Sequence, residues 1–365
     1  MYSMDRYDEL PVLTPSGLQH YLCLQTEAAS VLTNRFYATY SSLYERFGDR
    51  GLDVCREDFA FHLEFLRPVL EFGFLQPMVD YLHWIGNVLA GRGIPAGYLA
   101  QTLDWLAEYF ARAMEPGDSQ VVVAALTATR TKFTESCNEP QISPVSPEPW
   151  PQATVFEAAL LAGDQVDALG VVNDCLDAGH GLVAIELHLI QPALYSIGEK
   201  WQTNQVSVAQ EHMATAIAQS VMTVALLRSP PPSPMDRRVL LACVEGNDHS
   251  VGLRMVADSF LLSGWDVQYL GANVPTRSLV QQVVDWRPDL LALSVSFPQH
   301  LSAVKAVIAA LTQCLGATRP AIMVGGLAIN RFRPLADVVG ADASATNALA
   351  AVELASHIVG HQASQ

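Results

Sequence analysis

Hydrophobic positions recur with a helical period over residues 20–135, recur again over 152–227, and then give way to short β-type runs over 238–360. From Pro77, the positions Met78, Tyr81, Leu82, Ile85 and Leu89 fall on one apolar stripe, which predicts an amphipathic helix. Pro77 suits a first helical position, and Gly91-Arg92-Gly93 ends the run. The next helix carries Leu99, Leu103, Leu106 and Phe110 on one stripe, with Tyr98, Trp105 and Tyr109 beside it. Residues 152–227 hold periodic Ala, Leu and Val, interrupted at Gly163, at 178–181 and at Pro192, and fit four short helices.

The third segment has a different period. VLLACV, VQYLG, LLALSVS and AIMVGG are apolar, β-rich runs, separated by helical stretches at 251–263, 275–286 and 300–314. Strands alternating with helices predict a doubly wound parallel sheet. Two proline-rich breaks, NEPQISPVSPEPWP and RSPPPSPMD, separate the segments, because proline cannot continue a helix. The expected organisation is an N-terminal helical bundle (1–137), a linker (138–151), a four-helix domain (152–227), a second linker (228–237) and an α/β domain (238–360).

Composition narrows the function classes. Half the residues are hydrophobic and 16% are charged, so the chain can build real cores. The net charge of −16, with 10 Lys+Arg against 18 Asp+Glu in residues 1–140, argues against a nucleic-acid partner. Six cysteines, Cys23, Cys55, Cys137, Cys175, Cys243 and Cys314, show no paired spacing, and a reducing cytoplasm is expected. The acidic N-terminus MYSMDRYDELP lacks the apolar core of a signal peptide. No stretch reaches the roughly 18 uninterrupted apolar residues of a membrane span.

In open α/β sheets ligands bind at the carboxyl ends of the strands, and the residues there are distinctive. The first strand is followed by Asn247-Asp248-His249-Ser250-Val251-Gly252, the third ends in Ser294-Val295-Ser296, and the fourth ends in Gly325-Gly326. Gly252 and Ser294 enclose 41 residues, and Ser296 and Gly325 enclose 28. This pattern resembles the cobalamin-binding fingerprint of methionine synthase and its relatives, and LGANVP (270–275) resembles the loop after their second strand. The resemblance implies a Rossmann-like domain in which His249 is the lower axial ligand of cobalt, displacing the cofactor's own base. Small Ser294, Gly325 and Gly326 then leave room for the nucleotide tail, and the serine hydroxyls of Ser294 and Ser296 hydrogen-bond it. Asn247 stands where the family has aspartate. An amide oxygen can accept the imidazole N–H and fix its tautomer, but it adds no negative charge.

The segment 188–215 resembles the helical cap over the upper face of cobalamin. Trp201, nine residues and then Glu211-His212 are similar to the motif of light-sensing adenosylcobalamin proteins, whose best-known members are MerR-family photoreceptor repressors. The resemblance places Trp201 beside the adenosyl group and Val208 along it, with Glu211 and His212 near the ribose and cobalt. Gln202 stands where the repressors have a histidine that captures cobalt after photolysis.

The N-terminal helices fall outside that resemblance. The whole arrangement resembles photocobilins, which also bind biliverdin. Tyr98, Trp105 and Tyr109 supply faces for a planar chromophore, His83 lies off its helix's apolar stripe, and Arg92 can pair a propionate; a heme suits the same residue types. Three functions follow. One is an adenosylcobalamin photoreceptor that signals by light-driven cofactor conversion and a light-dependent change of homo-oligomer, with a separate effector protein. The second is a corrinoid methyl carrier, and the third a cobalamin store or heme-type sensor. A mutase is the least expected reading, because these residues hold no substrate barrel of about 250 residues, and no acid–base pair or phosphate loop marks an independent enzyme.

Overall fold

The structure is a computed structural model and describes residues 10–43, 48, 50–95, 97–136 and 147–362. Cys137 and most of the first proline-rich break, 138–146, lie outside the described residues. The chain divides into two compact units, residues 1–141 and 142–365.

The first unit is helical: α1 (Pro15–Tyr40), α2 (Gly51–Phe72), α3 (Gln76–Ala90), α4 (Gly97–Ala113) and α5 (Pro116–Glu135). Thr14 caps α1 by accepting from the Gly17 amide at 3.0 Å, and Gly73, at φ 80°, closes α2. Tyr21, Leu63, Leu66, Met78, Leu82, Leu103, Leu106 and Phe110 are fully buried. The Tyr21 hydroxyl donates to the Leu63 carbonyl at 2.7 Å and ties α1 to α2.

The second unit begins with the helices α6 (Gln152–Ala162) and α7 (Gln165–Asp177). A continuous helical run follows, made of α8 (Leu182–Ile185), a π-helical turn (Glu186–Ile190) and α9 (Gln191–Gln202), and α10 (Val208–Arg228) completes the set. Phe156, Leu160, Val172, Leu189, Ala218 and Met222 form their core. Residues 229–237 carry the second proline-rich break without a regular element.

The α/β part follows with five parallel strands, β1 (Arg238–Cys243), β2 (Asp266–Tyr269), β3 (Leu290–Ser294), β4 (Ala321–Gly325) and β5 (Ala343–Ser344). Their order is β2-β1-β3-β4-β5. β1, β3 and β4 are apolar along almost their whole length because helices cover both faces. α11 (Val251–Leu262) and α16 (Ala348–Gln362) pack together, as do α12 (Thr276–Trp286) and α13 (Leu301–Leu315). Two short helices, α14 (Leu327–Arg331) and α15 (Pro334–Val339), lie between β4 and β5. The expected fold class is the observed one; the two-residue β5 was not foreseen, being too short to show a period.

One helical run, Pro298–Thr318, is 21 residues long with a mean hydropathy of 1.4, a length and composition that could cross a membrane. Its Leu301, Val304, Val307 and Leu311 are buried within the α/β part, and 28% of its apolar window is buried in all.

Candidate cobalamin site

The order in which strands are added reverses between β1 and β3, and ligands bind at the carboxyl ends of the strands at such a point. The residues singled out from the sequence converge there. Ser294 ends β3 in register with Cys243, the last residue of β1, and Gly325 pairs with Ser294.

The loop after β1 is braced on both sides. Asn247 is fully buried, and its Nδ2 donates to the Ser294 carbonyl at 2.9 Å. Its Oδ1 accepts from the His249 backbone N–H at 3.3 Å. This corrects the expectation that the Asn247 amide oxygen holds the His249 imidazole. With its side chain under the loop and committed to β3, Asn247 fixes the main chain that carries His249. The LGANVP loop supplies the other brace: Asn273, at φ 51°, accepts from the Gly246 amide at 2.8 Å and donates its own amide to the Asn247 carbonyl at 2.9 Å.

His249 and Asp248 are exposed at the tip of this loop. The His249 ring meets Phe297 edge-on, centroids 4.9 Å apart. Surrounding protein pushes its pKa down, and the carboxylates of Glu211 and Asp248 push it up. Glu211 lies in the first turn of α10. Ser207 and Gln210 form a capping box there. Glu211 accepts from Thr215 at 3.0 Å and pairs with His212 Nδ1 at 2.6 Å. His212 and Val208 are exposed, and Trp201 and Gln202 near the end of α9 are partly buried.

The glycines divide by role. A Cβ on Gly252 would meet nothing within 4 Å, so the mouth of α11 is open beside His249. Gly326, at φ 96°, is glycine for its own backbone's sake: a Cβ would lie 2.8 Å from the Val295 amide nitrogen. Ser294 is buried and Ser296 half-buried. Sequence reasoning missed His300, Gln299 and Asn330. The His300 Nδ1, Gln299 Oε1 and Asn330 Oδ1 atoms are buried without a hydrogen-bond partner, and the His300 ring lies against Gly246. An accessible imidazole, an open helix mouth and unsatisfied polar atoms near the strand ends fit a large polar cofactor with a metal centre. The neutral ring of His249 is the group that would hold cobalt.

Comparison with known proteins agrees with this geometry. Residues 237–353 match the B12 binding domain family, and residues 153–226 match a second family also described as B12 binding domain. The chain carries a cobalamin-binding domain. It is 28% identical over 248 residues to the HTH-type transcriptional repressor CarH of Myxococcus xanthus, across 66% of this chain and 81% of that protein. It is 32% identical over 175 residues to CarA, another HTH-type repressor of M. xanthus, of which the match covers 54%. Dimethylamine corrinoid protein 3 of Methanosarcina acetivorans is 27% identical over 208 residues, 56% of this chain and 89% of that protein. Among solved structures, the monomethylamine corrinoid protein of Methanosarcina barkeri matches with a TM-score of 0.49 at 20% identity, covering 56% of this chain and 96% of that one.

The residues expected to hold a bilin are distributed differently. Tyr98 and Trp105 meet Phe36 and Tyr40 of α1 in one aromatic cluster, and the Arg35 guanidinium lies 4.4 Å over the Trp105 ring. His83 bonds Ser136 at 2.8 Å and packs on Phe133, so its tie is to α5. Arg92 donates to the Val88 carbonyl at 2.9 Å and closes its own helix. Trp105 is buried in this bundle. Trp105 and Tyr109 instead wall a cavity of about 230 Å³ with Arg35, Glu108 and Arg112, cationic groups the sequence stripe did not reveal.

Proposed function

We propose that this chain is a light-sensing adenosylcobalamin photoreceptor, and the observation that carries the reading is the exposed His249 on a loop braced by Asn247 and Asn273 at the strand ends, in a chain similar to the CarH repressor. When bound, adenosylcobalamin supplies a cobalt–carbon bond that visible light breaks. His249 would ligate the cobalt, on a loop that Asn247 and Asn273 brace, and Trp201, Val208, Glu211 and His212 would line the cofactor from the cap. Ser294, Ser296, Gly325 and Gly326 border the tail, and Asp248 stays in solvent. Similarity to two HTH-type repressors supports a regulatory role for the chain, without enzyme activity of its own. Signalling would run through a light-dependent change of homo-oligomer and a separate effector, in the cytoplasm, away from membranes. The acidic balance of residues 1–140 favours an effector other than nucleic acid.

Biliverdin is the proposed second chromophore, held by the N-terminal unit. The cavity beside Trp105 and Tyr109 is smaller than the roughly 300–1,000 Å³ of ordinary ligand sites. Binding would therefore require Trp105 and Arg35 to move, with Arg35 or Arg112 replacing Arg92 as the propionate partner. A second reading, a corrinoid methyl carrier, is favoured by the similarity to dimethylamine corrinoid protein 3.

The test reconstitutes the chain in the dark with adenosylcobalamin or methylcobalamin, then illuminates it with green light. A lasting spectral change and a new association state with adenosylcobalamin alone are expected. Equal retention of both cofactors without a change of assembly would replace the photoreceptor with the carrier. Co-expression with a biliverdin source should add a co-eluting far-red band; a Soret band would assign a heme, and neither band would remove the second chromophore.

A further inference from the structure

Glu186 opens the π-helical turn between α8 and α9, and it is fully buried. π-Turns often mark functional positions, because the extra residue redirects a side chain that a regular helix would place elsewhere. Here the redirected group is a carboxyl facing Asp258, itself 3% exposed, on α11. Asp258 Oδ1 accepts from Arg254 Nε at 2.7 Å. Its Oδ2 and both Glu186 oxygens are buried and have no other hydrogen-bond donor.

Two buried carboxylates and one guanidinium leave an uncompensated negative charge in a dry site, which is expensive unless a proton neutralises it. We propose that Glu186 and Asp258 share one proton and form a proton-dependent joint between the helical cap and α11, the helix that leads out of the His249 loop. The proton sits on Glu186 and is donated to Asp258 Oδ2, and Arg254 holds the opposite oxygen. Burial drives the Glu186 pKa well up, and the Asp258 charge raises it further while Arg254 opposes.

The setting makes this joint structural for both halves. Met255 of α11 belongs to the core of the cap, whereas Leu253, Ala257 and Phe260 belong to the core of the sheet. Other charged or titratable groups stand on the elements packed against α8 and α11: Asp167 and Asp174 of α7 and Glu353 and His357 of α16 are exposed, Arg228 of α10 pairs with Asp177 of α7, and Glu211 of α10 pairs with His212. Glu157 of α6 pairs with Lys200 of α9, Glu199 is exposed, and His188 bonds the Glu148 carbonyl. Tyr269 of β2 bonds the Ser250 carbonyl and faces Asp258.

Separating the cap from α11 would wet Glu186 and release its proton. Opening is therefore favoured as pH rises, by up to about tenfold per pH unit between the ordinary carboxylate range and the pKa of the closed pair. The test is hydrogen exchange in the full chain without cofactor, so it does not depend on the photoreceptor reading. Opening constants for amides of residues 182–190 and 251–262, corrected for the intrinsic pH dependence of exchange, should rise with pH in the wild type. In Glu186→Gln, whose amide donates to Asp258 without titrating, they should stay flat at the low-pH value. A flat wild type, or the same slope in Glu186→Gln, would overturn the proposal. Infrared spectra of the wild type at neutral pH should also show the C=O stretch of a protonated carboxylic acid, absent from Glu186→Gln; no difference between the two would overturn it as well.

Discussion

His249 and Gly326 show how differently single residues serve this site. The histidine is replaceable for folding, since it sits exposed at a loop tip whose geometry is held by Asn247 and Asn273. His249→Ala should therefore leave the fold intact while abolishing the histidine-ligated spectrum. Affinity for cobalamin should fall by more than the roughly 10–100-fold typical of losing an outer-sphere partner. An unchanged spectrum would dismiss His249 as the cobalt ligand. Gly326→Ala should do the reverse, damaging the apoprotein itself. Its positive φ and the Val295 backbone behind it leave no space for a methyl group, and left-handed strain alone costs about 1–3 kcal/mol. Chemical denaturation should show at least that loss, and full stability would mean the turn can relax. The fingerprint was legible because its residues fall at fixed spacings in one domain. What Asn247 does was not, because its partner is the Ser294 carbonyl, 47 residues away.

At the level of elements, strands and helices were readable wherever apolar period and a terminal signal coincided. β1, β3 and β4 are buried runs apart from Arg238 and Gly325 at their ends, and α3 ends where Gly91 stands. The π-turn was not legible. Glu186, which opens it, and Asp258 are 72 positions apart in a chain with no local pattern linking them. Polar Asp258 within the apolar run of α11 was the one available hint. In the first unit, α2 and α3 meet through another buried polar pair, His62 Nδ1 and the Tyr81 hydroxyl, 2.7 Å apart. Burial lowers the His62 pKa to about 4. Below the ordinary histidine value of about 6.5 the unfolded chain takes up a proton that the folded one refuses, so stability falls as pH falls. The loss accumulates between about pH 6.5 and pH 4 and amounts to about 3 kcal/mol. His62→Gln, which keeps a hydrogen-bonding side chain without titrating, should flatten the pH dependence of that unit's melting. A wild-type midpoint that does not move across this interval would contradict the burial of His62.

For the whole molecule, the two units hold separate resources. Every residue assigned to cobalamin lies within 142–365, whereas the aromatic cluster and its arginines lie within 1–141, and each unit has its own buried core. A domain that buries its own apolar faces can fold alone. Expressed separately, residues 142–365 should bind hydroxocobalamin with the same spectrum and within about threefold of the full chain's affinity, a difference under 1 kcal/mol. Residues 1–141 should bind none. If biliverdin is the second chromophore, the far-red band should appear with 1–141 alone and weaken in Trp105→Ala, because the chromophore loses an aromatic face to stack on. A band that forms only in the full chain would shift the bilin contact outside the first unit. Loss of cobalamin binding from 142–365 would show that the cobalamin domain depends on the N-terminal helices. The sequence could assign the two chemistries to two segments because their hydrophobic periods differ. Arg112 follows Trp105 by two turns of the same helix and was legible as its neighbour; Arg35 was not, since the meeting of α1 and α4 exists only once the bundle has packed.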